Sequence, residues 1–201
     1  AEEFVPQILQ RTYISRDDFN KAIFLILKGL IKKMIFADFI ALHFLDRVFD
    51  APTMHSGFEG IMALIGYSLQ IYGDFSGYTD IAIGVALLMG FQLPVNFNSP
   101  YKALNCGDFW KRWHISLSTW IRDYVYISLG GNQKGTLRMY FNQMFAMTAC
   151  GLWHGASLNF VVWGVLHGAL VCVHKFWSQT VMKHDRRYHP SGIRRFFSVF
   201  I

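Results

Sequence analysis

Charge is what this sequence has least of. Only 16% of its 201 residues are Asp, Glu, Lys or Arg, against about 25% in an ordinary soluble domain, and none of the four occurs between Arg138 and Lys175. As one helix that stretch would be about 54 Å long, well beyond the roughly 30 Å of a bilayer's hydrocarbon. It must therefore be broken, re-entrant, or two spans joined near Gly155. Cysteine is nearly as scarce. Cys106, Cys150 and Cys172 are odd in number and share no paired spacing, which excludes a disulfide framework and leaves free thiols in apolar surroundings. No internal repeat of the kind expected of a transporter is visible. The chain opens on Ala1-Glu2-Glu3-Phe4 with no signal-peptide pattern, and is read as a fragment of something longer.

What is present is apolar and aromatic: 53% hydrophobic residues, 17% Phe, Trp and Tyr, and a positive mean hydropathy. The formal charge of +6 gathers at Lys28, Lys32 and Lys33, at Lys111 and Arg112, and in the run Lys183 to Arg195. Basic flanks beside apolar periods fit a membrane protein and exclude a nucleic-acid stripe. The periodicity predicts an all-α chain. Ser15-Arg16-Asp17-Asp18 caps a helix whose apolar face runs through Ile23, Leu27, Leu30, Ile31 and Met34. Its other face, with Lys21, Lys28, Lys32 and Lys33, suits a helix lying at a membrane interface as well as a span. Further helices are expected over Phe36 to Phe49, Gly57 to Gly73 and Ile81 to Phe91. Several of these are short for a span, which points to broken helices around a protein-lined interior.

Asp74 and Asp80 sit in Gly73-Asp74-Phe75-Ser76-Gly77-Tyr78-Thr79-Asp80. A calcium loop of this kind wants Gly sixth and Glu twelfth, where the chain has Thr79 and Val85. The two carboxylates are left to line a water-filled cavity, or, for Asp80, to cap the next helix. From Asp108, a plausible N-cap, to Tyr124 the residues Trp110, Trp113, Leu117, Trp120, Ile121 and Tyr124 recur at helical spacing, with Lys111, Arg112, Ser118, Thr119 and Arg122 opposite, and Gly130-Gly131 ends the run. Read alone this is an amphipathic interfacial helix. His167 and His174 stand two turns apart near Cys172, but no third ligand has matching spacing, so no metal is expected. Gly151-x-x-x-Gly155 and Gly164-x-x-x-Gly168 suggest close helix contacts.

His154, in Cys150-Gly151-Leu152-Trp153-His154-Gly155-Ala156, is the sharpest feature, because an ionisable group inside an uncharged stretch is costly unless something needs it there. An imidazole titrates near working pH and suits proton transfer.

Three segments carry a resemblance. Phe109-Trp110-Lys111-Arg112-Trp113-His114-Ile115-Ser116-Leu117-Ser118, continued by Trp120-Ile121-Arg122-Asp123-Tyr124 and Leu129-Gly130-Gly131-Asn132, resembles the hallmark of membrane-bound O-acyltransferases of the alginate O-acetylation type. Gly151 to Ala156 with Trp163-Gly164-Val165-Leu166-His167-Gly168 is similar to the segment bearing that family's principal catalytic histidine. Gln70 to Ala82 also resembles the family's pattern, with Gly73 where Cys is expected.

The resemblance implies a bacterial inner-membrane, multi-pass protein with short, broken and re-entrant helices around a tunnel. Residues 1–177 would be the central part of its core, and 178–201 a basic loop leading to later helices. It implies transfer of an acyl group, expected to be acetyl, from a cytoplasmic thioester toward hydroxyls of an extracytoplasmic polysaccharide. His154 is the expected base and His114 the second, supporting histidine, with His167 close to the tunnel. No bound cofactor is implied; acetyl-CoA or another acyl thioester is the donor, and an exported polysaccharide or a periplasmic acetyl-transfer protein the partner, alongside membrane lipid. Leu129-Gly130-Gly131-Asn132 favours polysaccharide acetylation over D-alanylation of teichoic acid. A transporter, or a silent scaffold of similar fold, is the remaining alternative.

Overall fold

A computed structural model describes residues 4–9 and 13–182 of the chain. All regular elements among the described residues are helical, and they form two compact units that divide between Val95 and Asn96.

The first unit is a pair of long helical runs. A single turn, α1 (Val5–Ile8), is tied to the far end of the unit, where Gln7 Nε2 donates to the Gln92 carbonyl at 3.1 Å and Gln7 Oε1 accepts the Gln92 N–H at 2.7 Å. Helix α2 (Arg16–Leu30) starts as its sequence dictates: Ser15 accepts the Asp18 N–H, and Asp17 and Asp18 lie in the first turn, where the positive end of the helix favours them. The chain stays helical through wide π turns at Ile31–Ala37 and Ala41–Leu45, which flank α3 (Asp38–Ile40), and ends with α4 (Asp46–Asp50) before Pro52. Ser56 and Glu59 then make a reciprocal capping box for α5 (Gly57–Leu88).

Helix α5 corrects the sequence reading at its centre. The segment from Gly73 to Asp80 is helix throughout, so the two expected helices are one of 32 residues. Asp80 caps nothing, and neither carboxylate sits in a loop. The glycines that suggested one serve instead as contact points. A Cβ on Gly77 would meet the Gly29 carbonyl oxygen at 2.7 Å, and one on Gly84 the Ala22 carbonyl oxygen at 2.7 Å, so α2 and α5 pack backbone against backbone. That approach brings Lys28 of α2, and Lys32 and Lys33 of the π turn after it, to the carboxylates of the first unit. Lys28 and Lys32 reach Asp80 at 3.1 and 2.7 Å, while Lys33 pairs with Asp74 and with Asp38. The basic face expected at a membrane surface is thus committed in large part to carboxylates of its own unit. A small core of Leu45, Val48 and Ala63, backed by Ile40 and Phe44, fills the other end.

In the second unit α6 (Cys106–Arg112) and α7 (Ile115–Ile121) are followed by a π turn, Arg122–Tyr126, then α8 (Thr136–His154) and α9 (Leu158–Trp177). The long uncharged stretch is broken where its length required: α8 ends on His154, and α9 starts after the Ser157 cap. The hairpin closes on glycine. A Cβ on Gly151 would lie 2.2 Å from the Phe160 carbonyl oxygen, and one on Gly164 would lie 2.6 Å from that of Met147. Ile121, Ala146 and Cys150 form the core here, with Leu117, Val125, Tyr126 and Trp163 around it.

Among the described residues one helix, Leu158–Thr180, is long and apolar enough to cross a membrane. Large apolar side chains nevertheless stand exposed on both units, for example Phe24, Met34, Ile35 and Leu64 on the first and Leu137, Phe145 and Leu166 on the second. Contiguous exposed apolar surface marks a contact face for lipid or for other protein. The basic tail from Lys183 onward lies outside the described residues.

Candidate active site

The aromatic segment does not form the single amphipathic helix that its spacing suggests. Asn105, not Asp108, is the N-cap of α6, its Oδ1 accepting the Asp108 N–H at 2.7 Å. Asp108 sits one turn in and binds the Arg112 Nε at 2.9 Å, and that guanidinium holds its carboxyl below the usual carboxylate range. The helix then stops. Trp113 is extended and His114 adopts a left-handed conformation, φ 42° and ψ 59°, uncommon for a residue other than glycine. Trp113 stays in an aromatic group of its own, 5.1 Å from Phe97 and 5.6 Å from Phe109 between ring centroids. Trp120 stacks on Tyr124 at 5.4 Å and is exposed. The face expected to be continuous is therefore split by the break.

Trp110 is the tryptophan that reaches the histidines. Its ring lies 5.6 Å from Trp163 and 5.3 Å from His167, both on α9. Trp163 in turn stands 4.5 Å from His167 and 5.2 Å from His154, nearly perpendicular to the latter. The His154 ring also stacks on Phe160 at 6.0 Å and neighbours Trp153 at 5.1 Å, and Trp153 approaches His114 at 6.2 Å. Three separate stretches of sequence thus meet around His154. His114, in the loop between α6 and α7, is close enough to feel it: burial, and then the charge that His154 would carry, hold the His114 imidazole below the usual histidine range.

Both histidines named from the sequence accordingly belong to one cluster. His167 joins them through Trp163, whereas His174 lines a separate cavity of about 880 Å³ beside Asn105, Lys111, Ser118, Arg122 and Lys175. Trp110 borders both spaces. Among the described residues no group of three His, Cys, Asp or Glu side chains is placed to hold a metal, and the three cysteines are free.

Sequence reasoning assigned no role to three residues that organise this unit. Trp163 is the centre of the cluster, and was seen only as part of a matched segment. Asn142, fully buried on α8, donates through Nδ2 to the carbonyls of Leu129 at 3.2 Å and Gly131 at 2.9 Å, fixing the glycine turn in which Gly130 and Gly131 take positive φ. Asn96 clamps the start of α7. The signal for it was the Pro94-to-Pro100 segment with asparagine at 96 and 98, a turn-forming composition.

Chemically the arrangement offers an imidazole at a helix end, a second imidazole nearby with its neutral form favoured, and aromatic rings against the His154 side chain, which itself stays exposed together with Trp153 and Phe160. Those are the parts for removing a proton from a hydroxyl while a neighbouring carbonyl is attacked.

Comparison with known proteins decides the family. The model of the membrane-bound O-acyltransferase family matches residues 15–201. The chain belongs to that family. It is 44% identical to the peptidoglycan O-acetyltransferase of Helicobacter pylori over 90% of its own length and 34% of that protein. To the probable alginate O-acetylase AlgI of Pseudomonas aeruginosa it is 42% identical, over 87% of its length and 33% of that protein. With the teichoic acid D-alanyltransferase of Bacillus subtilis the identity is 31%, over 82% of the chain and 42% of that protein. The chain spans about a third of the length of the O-acetylating relatives. The residues matched by the family model include all the segments from which the His154 cluster is built.

Proposed function

We propose that the chain is the catalytic-histidine portion of a multi-pass, inner-membrane O-acetyltransferase. The parent protein would move an acetyl group from acetyl-CoA or another cytoplasmic acyl thioester toward hydroxyls of an extracytoplasmic polysaccharide, directly or through a periplasmic partner protein. The observation that carries this reading is the convergence of His154 at the end of α8 with Trp163 on α9 and with His114. In it His154 takes the hydroxyl proton as the oxygen attacks the thioester carbonyl. The negative charge passes to the carbonyl oxygen, where a ring N–H of His114 or a backbone N–H near Gly155 offers a donor. Collapse of the tetrahedral intermediate breaks the carbon–sulfur bond, and the departing thiolate takes up the proton held by His154.

Acetyl rather than D-alanyl transfer is supported by the higher identity to the two O-acetylating relatives, 44% and 42% against 31%. A tunnel through the membrane, with re-entrant segments, would bring donor and acceptor to the cluster from opposite sides. A transporter built on Asp74 and Asp80 has less support, because lysines of the same unit engage both carboxylates.

The test is His154→Gln beside His114→Gln in the full-length protein, scoring acetyl content of the surface polymer against protein abundance in the membrane. Loss of a general base costs about 10²–10⁴-fold, so His154→Gln is expected to abolish detectable acetylation and His114→Gln to retain measurable turnover. Normal acetylation by a normally abundant His154→Gln protein would overturn the assignment. Equal losses in both variants would make the histidines one catalytic unit.

A further inference from the structure

His114 takes a left-handed backbone at the start of α7. A helix start leaves N–H groups in need of acceptors, yet His114, in the capping position of α7, makes no side-chain capping bond. Another residue does that work. The Asn96 carbonyl oxygen accepts the Ile115 N–H at 3.0 Å, and Asn96 Oδ1 accepts both the Ser116 N–H at 3.1 Å and the Ser116 hydroxyl at 2.7 Å. On the far side of the break the Asn98 N–H donates to the Arg112 carbonyl at 3.0 Å. Trp113 and His114 thus lie between two residues held by the segment 96–98, Arg112 and Ile115, and are tied themselves: the Trp113 N–H donates to the Phe109 carbonyl at 3.0 Å, and Ser118 donates through its hydroxyl to the Trp113 carbonyl at 3.2 Å and through its N–H to the His114 carbonyl at 3.0 Å. A left-handed histidine persists only where its surroundings over-determine it, and the segment 96–98 supplies the part of that determination that comes from outside residues 105–121.

We propose that Asn96 is a positioning residue of the acyl-transfer site, acting through His114. By capping α7 from outside the helix it releases the imidazole from the capping task and holds it within reach of Trp153 and His154. This rests on the reading above that His114 serves the reaction. Because the Ser116 N–H is a donor, the Asn96 atom facing it is the carbonyl oxygen, and a carboxylate can replace it.

The experiment uses the full-length protein in membranes, with transfer measured per folded molecule. Misplacing a catalytic group by about 1 Å costs up to 10²-fold, so Asn96→Ala is expected to lower kcat roughly 10–100-fold with little change in KM, and Asn96→Asp to restore most of it. The deciding measurement is the double variant. If Asn96 acts only through His114, adding Asn96→Ala to His114→Ala costs nothing further, whereas independent losses would multiply. Should Asn96→Ala fail to accumulate, Ser116→Ala removes one of the two bonds to Oδ1, and the same non-additivity with His114→Ala is expected. A wild-type kcat in a normally abundant Asn96→Ala protein, or multiplicative loss in the double variant, would overturn the proposal. A wild-type rate in His114→Ala alone would instead overturn the reading on which it rests.

Discussion

The packing of α8 on α9 sets where His154 and Trp163 meet, and Gly164→Ala is the smallest perturbation of it. A Cβ at residue 164 would lie 2.6 Å from the Met147 carbonyl oxygen and 2.9 Å from the Thr148 Cα. Both are backbone atoms and have no rotamer into which to retreat, so the helices must move apart. Forcing a group into a filled space costs about 1–3 kcal/mol. Replacing a helical glycine by alanine returns about 0.8–1.0 kcal/mol of propensity, which leaves a net loss of up to about 2 kcal/mol. Gly60→Ala on α5 is the control: nothing lies within 4 Å of its Cβ position, so only the propensity gain remains, about 0.5–1 kcal/mol. Thermal unfolding of the full-length protein in detergent should therefore shift in opposite directions, with Gly164→Ala lowered by roughly 2–4 °C. Acyl transfer per folded Gly164→Ala molecule should fall as well, because the His154 and Trp163 rings are carried on the two helices that separate. If Gly164→Ala gains as much stability as Gly60→Ala, the helices are not in backbone contact and the derivation of the site from that contact fails.

Asp80→Asn should destabilise more than Asp74→Asn. Asp80 is the more buried carboxylate, its side chain 14% exposed against 39%, and faces two lysines; a loss of about 2 kcal/mol against at most about 1 is expected from the difference between buried and surface pairs, and equal melting temperatures would refute it. Acid should weaken the fold through His114. Its folded pKa lies below the ordinary 6.5, so between the two values the unfolded chain binds more protons, and the stability present above pH 6.5 is lost as pH falls toward the folded value. His114→Asn tolerates the left-handed backbone and cannot titrate, so melting curves taken from pH 7.5 downward, on an arbitrary grid of about half a unit, should be flatter than those of the parent; identical acid sensitivity would remove His114 from the account.

How much of this was legible beforehand depended on the range of the interactions involved. Residue spacing alone made the chain helical, required a break near Gly155, capped α2 at Ser15 and ended the aromatic run at Gly130-Gly131, because each rests on contacts within a turn or two. It also singled out His154 from the cost of placing an ionisable group in an uncharged stretch. Three things needed the tertiary structure. Helix α5 runs straight through Gly73 to Asp80 because those glycines are read by α2 across the interface, and a glycine's local preference for a turn is outweighed there by close packing. Lys28, Lys32 and Lys33 are held against α5 because Asp74 and Asp80 lie opposite, a pairing up to 52 residues distant that helical periodicity reads only as a polar face. The break before His114 is bridged by Asn96 and Asn98, hydrogen-bonding partners in a different segment, so the local apolar spacing of residues 108–124 continued smoothly past it. Local hydrogen bonds and solvation fix which residues become helix; the meeting of His114, His154 and Trp163 depends on bonds and contacts between residues far apart in the chain, and these exist only once it has folded.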